Sequence, residues 1–238
     1  MSERQPQALP PRNRLIGWDL SALTYVWTYG ALSHQLDNDL IAYLSDRLKG
    51  AIVADCGCGP GVVAHKLVAY GAAKVFAIDV SIQMLRRIPP DSRIVPVPAT
   101  MESLPLDRLQ REHAVGGFDL VLFKRSLYME RSAAIAVLTN AYGHLRPGGC
   151  IAIVHPEKRL APYLFGGASP LGGYTAYHLF NRTVSLITRF LGAHKYALYT
   201  RDELLDLAAA VAGAQHVDPI PSRQRAFNLV AIRRPAEG

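Results

Sequence analysis

From about residue 50 onward, two kinds of apolar pattern alternate along the chain. Short apolar runs rich in β-branched residues alternate with longer stretches whose apolar residues recur at helical spacing, which is typical of βαβ crossovers and a parallel sheet. Strands are predicted over residues 51–56, 74–78, 93–97, 118–123 and 150–154. Helices are predicted over residues 62–70, 82–88, 104–111 and 133–145.

The last forty residues show a different order of elements. A helix is predicted over residues 201–212, with Thr200 as its N-cap and Glu203 at the capping-box position. Two strands follow at 216–220 and 227–233, joined by a turn that contains proline and serine. Consecutive strands favour a hairpin, so the pattern predicts a doubly wound, mostly parallel seven-stranded α/β sheet whose last strand is antiparallel.

Two segments lie outside this alternation and divide the chain into parts. Residues 15–48 are predicted to be a helical cover, and residues 156–199 an insert on the substrate side of the sheet. Residues 1–14 are polar, contain three prolines and lack an apolar core, so they are interpreted as a flexible tail rather than a signal peptide. The cofactor-binding core is then 49–155 together with 200–238.

Composition and charge exclude only a few classes of protein and of partner. A chain of 238 residues that is 50% hydrophobic can bury one α/β core, and no apolar run reaches the roughly 20 residues of a membrane-spanning helix. Three cysteines, without a histidine cluster beside them, predict neither a disulfide framework nor a metal site, and favour the cytoplasm. The net charge of +7 favours an acidic partner, which could be nucleic acid, a membrane surface or an anionic small molecule.

The chemistry is concentrated in the loop Asp55-Cys56-Gly57-Cys58-Gly59-Pro60-Gly61, directly after the first predicted strand. Glycines let backbone N–H groups approach a ligand closely, and the helix that follows directs its positive end into the same crevice. Asp79, at the end of the second strand, is placed to accept both hydroxyls of a ribose.

The loop also fits a dinucleotide fingerprint, because residues 59–64 match the permissive pattern G-x-G-x-x-A. Asp55 favours a different cofactor, since its carboxylate would repel a pyrophosphate but would hold the ammonium of a methionine. The helical segment ahead of the first strand is also unusual for a nicotinamide domain. These features favour S-adenosylmethionine.

Five ordered motifs carry a resemblance to a known family. They are Asp55–Gly61, Val75–Ser81, Thr100–Pro105, Phe118–Val121 and Leu145–Gly149. In this order and spacing they resemble the class I (Rossmann-like) S-adenosylmethionine-dependent methyltransferases, particularly the small-molecule group called methyltransferase type 11. The resemblance covers about residues 51–150 and implies methyl transfer, with S-adenosylhomocysteine as the second product.

The resemblance and the loop together predict a set of cofactor-binding residues. They are Tyr25, Tyr29, Asp55, Gly57, Cys58, Gly59, Gly61, Asp79, Val80, Met84, Thr100, Met101, Glu102, Phe123 and Lys124. Thr100 departs from the family, which often has an aspartate there to accept a hydrogen bond from the adenine, whereas Met101 is suited to pack on the adenine face. Tyr25 and Tyr29 could reach the methionine carboxylate, or could simply pack the cover onto the sheet.

The reaction requires alignment more than acid–base help, because the methyl donor is already activated. His155 is the leading candidate for a general base, and Tyr128 for an acceptor contact, although His155 could equally be a structural histidine before Pro156. Substrate contacts are predicted for Arg125, Tyr128, Lys158, Arg159, Tyr163 and Tyr177.

An apolar chamber with a basic rim of Lys124, Arg125, Lys158 and Arg159 would suit an amphipathic anion, such as a natural-product-like metabolite. The same residues could instead pack on the sheet or face solvent. RNA is a rival acceptor because of the net charge, but the basic residues are scattered and no nucleic-acid-binding module is recognisable. A cyclase or isomerase that leaves the methyl group in place, or a cofactor-binding protein, would show the same motifs, and a homodimer is left open.

Overall fold

The computed structural model describes residues 36–158, 197–222 and 227–236. The predicted tail, most of the predicted helical cover and nearly all of the insert therefore lie outside the described residues, and so do Tyr25, Tyr29, Arg159, Tyr163 and Tyr177. Of the cover, residues 36–48 are described and are helical (α1).

The described elements follow the predicted order closely. The strands are β1 (Ile52–Cys56), β2 (Lys74–Asp79), β3 (Ile94–Pro98), β4 (Phe118–Lys124), β5 (Leu145–Pro156), β6 (Val217–Pro219) and β7 (Phe227–Arg233). The helices after α1 are α2 (Val62–Ala69), α3 (Ile82–Leu85), α4 (Leu106–Glu112), α5 (Arg131–Gly143) and α6 (Arg201–Ala212). Short 3₁₀ turns occupy Met101–Ser103 and Ala214–His216.

The seven strands form one sheet in the order β3-β2-β1-β4-β5-β7-β6. Strands β1 to β5 are parallel, whereas β7 runs antiparallel to both β5 and β6, which confirms the predicted fold class. The chain moves outward from β1 to β3 on one side and from β4 to β5 on the other. The carboxyl ends of β1 and β4 therefore border the switch point at which an open α/β sheet binds its ligands.

Each face of the sheet carries its own apolar core. Helices α1 and α2 pack on one face through leucines such as Leu36, Leu40 and Leu67, all fully buried. Helices α4, α5 and α6 cover the other face through Leu106, Leu138 and other buried side chains. Because side chains alternate along each strand, neighbouring residues of β1 and β4 belong to different cores, and this alternation decides which polar groups can meet.

Several boundaries differ from prediction by a few residues, among them those of α3, β5 and β6. Helix α3 ends at Leu85 rather than at Ile88, since Pro89 disfavours the helical conformation for the residue before it. Strand β5 begins at Leu145 rather than at Cys150, and the pairing register with β4 shifts between Phe118 and Leu120 to accommodate the extra residues. Strand β6 is only three residues long.

The start of α6 agrees with the sequence in detail. The Thr200 hydroxyl accepts a hydrogen bond from the Glu203 backbone N–H at 3.2 Å, and the Glu203 carboxylate accepts one from the Thr200 N–H at 2.8 Å. This reciprocal capping box satisfies two N–H groups that a helix start otherwise leaves unpaired. The Glu203 carboxylate also pairs with Lys158, just after β5, and so connects the start of α6 to the end of that strand.

Candidate active site

The glycine loop turns sharply at the carboxyl end of β1 and fits no larger residue at its first glycine. Gly57, Gly59 and Gly61 all have left-handed φ values, of 79°, 55° and 77°. A Cβ on Gly57 would lie 2.3 Å from the Cβ of Ser126, and Ser126 in turn donates a hydrogen bond to the Cys56 carbonyl at 2.6 Å. The loop is thus shaped by the residues that follow β4 as well as by its own glycines.

Asp79 joins the loop to the end of β2. One carboxylate oxygen accepts a hydrogen bond from the Gly59 N–H at 2.9 Å, and the other accepts one from the Ser81 N–H at 2.8 Å. A carboxylate at the end of β2 is of the type that accepts hydrogen bonds from ribose hydroxyls. The Gly57 and Cys58 N–H groups donate to the Ile78 carbonyl at 2.7 and 3.0 Å, which ties the loop to β2.

Asp55 is a buried acid with an unsatisfied oxygen. Its side chain is 1% exposed, and Oδ2 has no hydrogen-bond partner within the described part of the chain. Burial raises the pKa of Asp55 to about 7, the Lys124 ammonium opposes that rise, and the charges of Asp79 and Asp37 add to it. A buried carboxylate oxygen without a donor is costly, and the ammonium of a bound ligand would supply the missing donors.

Lys124 lies inside the protein rather than on a basic rim. It is 4% exposed, and its ammonium pairs with the Asp37 carboxylate on α1. The other Asp37 oxygen accepts from Lys66 of α2 at 2.8 Å. The interpretation of Lys124 as part of a positive rim beneath a substrate chamber is therefore wrong, because its charge is already held by an acid from the N-terminal helix.

The predicted adenine-side residues gather beyond β2 and β3. Val80 and Thr100 are half-buried, whereas Met84 is buried beneath Ser81 with its backbone N–H on the Ser81 hydroxyl. The Thr100 and Ser103 hydroxyls share a hydrogen bond of 2.8 Å, so Thr100 already has a local partner. The Met101 methyl carbon lies 3.5 Å from where a Cβ on Gly57 would be, which places its thioether against the loop.

Two of the predicted cofactor contacts, Phe123 and Glu102, differ in their exposure. Phe123 is fully buried among the side chains that pack β4 against α5, so it offers no surface to a ligand. Glu102 is exposed on the 3₁₀ turn after β3. Phe123 was predicted from its place at the strand end, but strand alternation directs it into the core on the side away from Asp55 and Lys124.

His155 is buried and electrically neutral. Its Nε2 accepts a hydrogen bond from the Tyr199 backbone N–H at 3.2 Å, so the ring proton is on Nδ1, which finds no partner among the described residues. Burial lowers the pKa of His155 to about 3. With its lone pair engaged and its cation disfavoured, His155 does not have the properties of a general base near neutral pH.

His155 instead sits between two tyrosine rings. Its ring centre lies 5.5 Å from that of Tyr128 and 5.2 Å from that of Tyr199. The Tyr199 hydroxyl donates to the Met129 carbonyl at 2.5 Å, and burial raises its pKa to about 12, so it stays protonated. His155 therefore links the end of β5 to Tyr128, the half-buried residue predicted to face the acceptor.

The two basic substrate contacts that the structure describes, Arg125 and Lys158, have different surroundings. Arg125 follows β4 with a left-handed φ of 56° and lies over the Phe227 ring, 5.9 Å from its centre. Lys158 is exposed and pairs with Glu203 of α6, at 2.9 Å and 3.2 Å to the two carboxylate oxygens. The Lys158 ammonium is therefore paired with an acid at the start of α6, and this pair would have to break before Lys158 could bind an anionic substrate.

Sequence reasoning missed Asp37 and Tyr199. Asp37 carried a usable signal, because Leu40, Ile41 and Leu44 follow it at helical spacing and a carboxylate in an apolar stripe needs a buried partner. Tyr199 carried no comparable signal, since it lies at the end of the insert, where no periodic pattern identifies its contacts. It reaches the site only because residue 199 bridges to Glu157 after β5.

The fit to an S-adenosylmethionine-type ligand can be judged from these groups. Among the described residues, Asp55 offers an unsatisfied oxygen at the methionine end, and Asp79 lies at the ribose position, joined to the loop through the Gly59 N–H. The residues therefore fit the cofactor that the sequence predicts.

Comparison with known proteins agrees with this geometry. Residues 53–149 match the family model described as "Methyltransferase domain", which spans β1 to the turn within β5. A search of curated proteins finds no match.

Solved structures share the fold at low sequence identity. Magnesium protoporphyrin IX methyltransferase from Synechocystis, with bound S-adenosylhomocysteine, is 14% identical with a TM-score of 0.60, covering 92% of this chain and 98% of its own. Human N-acetylserotonin methyltransferase, in complex with S-adenosylmethionine, is 15% identical with a TM-score of 0.61, covering 94% of this chain and 56% of its own. A methyltransferase bound to the Haloferax volcanii Trm112 activator is 14% identical with a TM-score of 0.65, covering 95% and 98%.

Residues 53–149 therefore carry a methyltransferase domain, and the strand order and the loop are those of the class I S-adenosylmethionine-dependent type. By this match the protein is an enzyme, and its site fits S-adenosylmethionine, the cofactor present as such or as S-adenosylhomocysteine in two of these solved structures. No described helix combines the length and the apolar character needed to cross a membrane.

Proposed function

We propose that the enzyme methylates a small-molecule acceptor, an apolar or amphipathic anionic metabolite. Two of the solved structures that share its fold are named as methyltransferases of magnesium protoporphyrin IX and of N-acetylserotonin, which are small organic molecules. The free, buried cysteines are in keeping with a reducing compartment, and we include a cytoplasmic location in the proposal.

The observation that carries the placement of the cofactor is the Asp55 oxygen that finds no donor in residues 36–158, 197–222 and 227–236. We assign the methionine ammonium to Asp55 and the methionine end to the Gly57–Gly61 backbone. The ribose is assigned to Asp79, and the adenine to the surface formed by Val80, Thr100 and Met101. Gly57 is needed in this loop because any side chain at residue 57 would collide with Ser126.

The chain contributes alignment rather than acid–base chemistry at this site. When bound, the cofactor supplies an activated methyl group for in-line displacement. The hydrogen bond from the Tyr199 N–H fixes His155, and the His155 ring packs against Tyr128. We therefore assign His155 to the positioning of Tyr128, and Tyr128 to contact with the acceptor.

Preference for an anion is argued from Arg125. The partners of Lys124 and Lys158 are Asp37 and Glu203, so these two lysines do not form the rim that the sequence suggested. Arg125 follows β4 directly, at the carboxyl edge that borders the switch point, and its guanidinium lies near an aromatic ring. An aromatic wall beside a cation suits an acceptor that is both apolar and acidic.

The test is a turnover assay with a panel of aromatic and long-chain carboxylic acids, each paired with its neutral amide. We expect S-adenosylhomocysteine to accumulate together with a product that is heavier by one methylene. For an accepted acid, the R125Q variant should raise KM with little change in kcat, because a ground-state contact is lost. The KM of the paired amide should be unchanged.

Two controls make the test decisive. A D55N variant should lose turnover through weaker cofactor binding, which confirms that the product depends on this site. Methylation of total RNA with no turnover on any member of the panel would contradict the small-molecule proposal. Product formation with intact S-adenosylmethionine would contradict methyl transfer itself.

A further inference from the structure

The carboxyl ends of β1 and β4 bring two buried charges onto the same face of the sheet. Asp55 of β1 pairs in register with Leu122 of β4, and Lys124 lies two residues further along β4. Because alternate residues of a strand share a face, Asp55, Leu122 and Lys124 project to the same side. That side is covered by α1 and α2, whose apolar residues pack with Leu122.

Asp37 of α1 and Lys66 of α2 complete a cluster of four charged groups with Asp55 and Lys124. Its carboxylate is 1% exposed and pairs with Lys124 through one oxygen and with Lys66 of α2 through the other. When Asp55 is ionised, the four groups carry two negative and two positive charges, and Asp79 on β2 adds a third negative charge nearby. Lys124 is therefore the group that favours the Asp55 carboxylate, against burial and the neighbouring acids, since a buried charge is tolerated when it is paired.

We propose that Lys124, held in place by Asp37, is the counter-ion that keeps Asp55 ionised for the cofactor ammonium, and that Asp37 is a positioning residue for cofactor binding. Helix α1, which lies outside the matched family region, would then determine cofactor affinity. The inference rests on the assignment of the methionine ammonium to Asp55.

The remaining groups around Asp55 agree with this role for Lys124. Burial raises the pKa of Asp55 to about 7, Lys124 lowers it, and Asp79 on β2 and Asp37 on α1 raise it. The neighbouring Cys56 and Cys58 thiols are buried with raised pKa values, so they are neutral. Lys124 is therefore the cation that opposes burial, and its removal should leave Asp55 mostly protonated at neutral pH.

The experiment measures Kd for S-adenosylhomocysteine by calorimetry between about pH 6 and pH 7.5, a range in which an α-amino group stays mostly protonated. The second probe is 5′-methylthioadenosine, which has the adenosine and sulfur but no amino-acid ammonium. If loss of Lys124 raises the pKa of Asp55 by one unit or more, the K124M variant should bind S-adenosylhomocysteine about tenfold more weakly below that pKa. The loss should shrink as the pH rises, and Kd for methylthioadenosine should not change.

The variants D55N and K124M separate this inference from its premise. Weaker binding of S-adenosylhomocysteine by D55N, with no effect of K124M at any pH, would overturn the counter-ion role and leave the Asp55 assignment intact. Unchanged binding by D55N would overturn both. Equal weakening of both ligands by K124M, independent of pH, would mean that Lys124 is merely structural and would also overturn the proposal.

A double variant keeps the experiment informative if K124M does not fold. K124M leaves Asp37 buried with Lys66 alone, which could unfold the protein. The double variant D37N/K124M makes the contact between α1 and β4 uncharged and should fold if K124M does not. We expect it to show the same ligand selectivity, with weaker S-adenosylhomocysteine binding that improves as the pH rises. Wild-type affinities for both ligands at each pH would overturn the proposal.

Discussion

Replacement of His155 by glutamine should make the stability of the protein less sensitive to acid. His155 is fully buried, and its folded-state pKa is lowered from 6.5 to about 3 by burial. Below pH 6.5 the unfolded chain takes up a proton at this residue while the folded protein does not. The contribution of His155 to folding is therefore present above pH 6.5 and is lost as the pH falls towards 3.

The size of the effect follows from the difference in pKa. Each pKa unit corresponds to about 1.4 kcal/mol, so the span from 6.5 to about 3 amounts to about 5 kcal/mol at the acid limit. At pH 5, one and a half units below 6.5, the wild-type protein should have lost about 2 kcal/mol through this residue. Glutamine does not titrate, and its side-chain oxygen can accept the Tyr199 N–H in place of Nε2.

The assay is urea-induced unfolding of wild type and H155Q at pH 8 and at pH 5. At pH 8 the variant should be the less stable, because a fitted ring has been replaced in the core. Between pH 8 and pH 5 the difference in unfolding free energy should move by about 2 kcal/mol in favour of H155Q. Comparison of the two proteins is essential because Asp55 acts in the opposite sense: its raised pKa makes the folded state more stable as the pH falls from about 7 towards 3.8.

Parallel pH dependence of wild type and H155Q would refute the reasoning. It would mean that His155 titrates alike in the folded and unfolded states, and hence that the ring is reachable by water. A catalytic measurement gives an independent check. If His155 positions Tyr128 without moving a proton, the pH profile of kcat for H155Q should keep the wild-type shape at a lower level. If H155Q instead loses the fall in kcat on the acidic side of the wild-type profile, His155 is a general base after all.

Three further substitutions test the loop, the sheet and the helix cap. G57A should abolish measurable binding of S-adenosylhomocysteine in calorimetry, because alanine is strained at a φ of 79° and its Cβ meets Ser126; G57A/S126G should recover part of the affinity by relieving the contact. D119A should lower the free energy of unfolding in urea by about 1–3 kcal/mol, because its carboxylate accepts the Ile52 N–H at 2.7 Å; D119N, which keeps an acceptor, should cost less. T200A should cost about 1 kcal/mol in the same assay, and a loss as small as that of an exposed surface substitution would contradict the capping role.

The sequence contained the fold and the cofactor loop because both depend on local signals. Strand and helix periodicities, the glycines of residues 57–61 and the capping box at Thr200 are patterns within a few neighbouring residues, and the structure reproduces them. The early end of α3 also has a local cause, because Pro89 disfavours the helical conformation of the residue before it. The apolar pattern alone favoured a longer helix.

The roles of individual charges depended on contacts between distant residues. Lys124 was predicted to face a ligand, yet Asp37, 87 positions away, holds it inside the protein. Lys158 pairs with Glu203 across 45 positions, and His155 receives its hydrogen bond from Tyr199 across 44. Local pattern cannot specify such pairs, because they depend on which helix covers which face of the sheet.

By itself, the sequence determined the doubly wound sheet, the loop after β1 and the acids at the ends of β1 and β2. These are set by strand alternation and by the conformations that only glycine adopts readily. Only the tertiary structure decided that Asp55 has an oxygen without a partner among the described residues, that Lys124 opposes the rise in the pKa of Asp55 and that His155 is neutral. The physical reason is that ionisation and hydrogen bonding depend on burial and on the nearest partner, and both arise when α1, β4 and β5 come together.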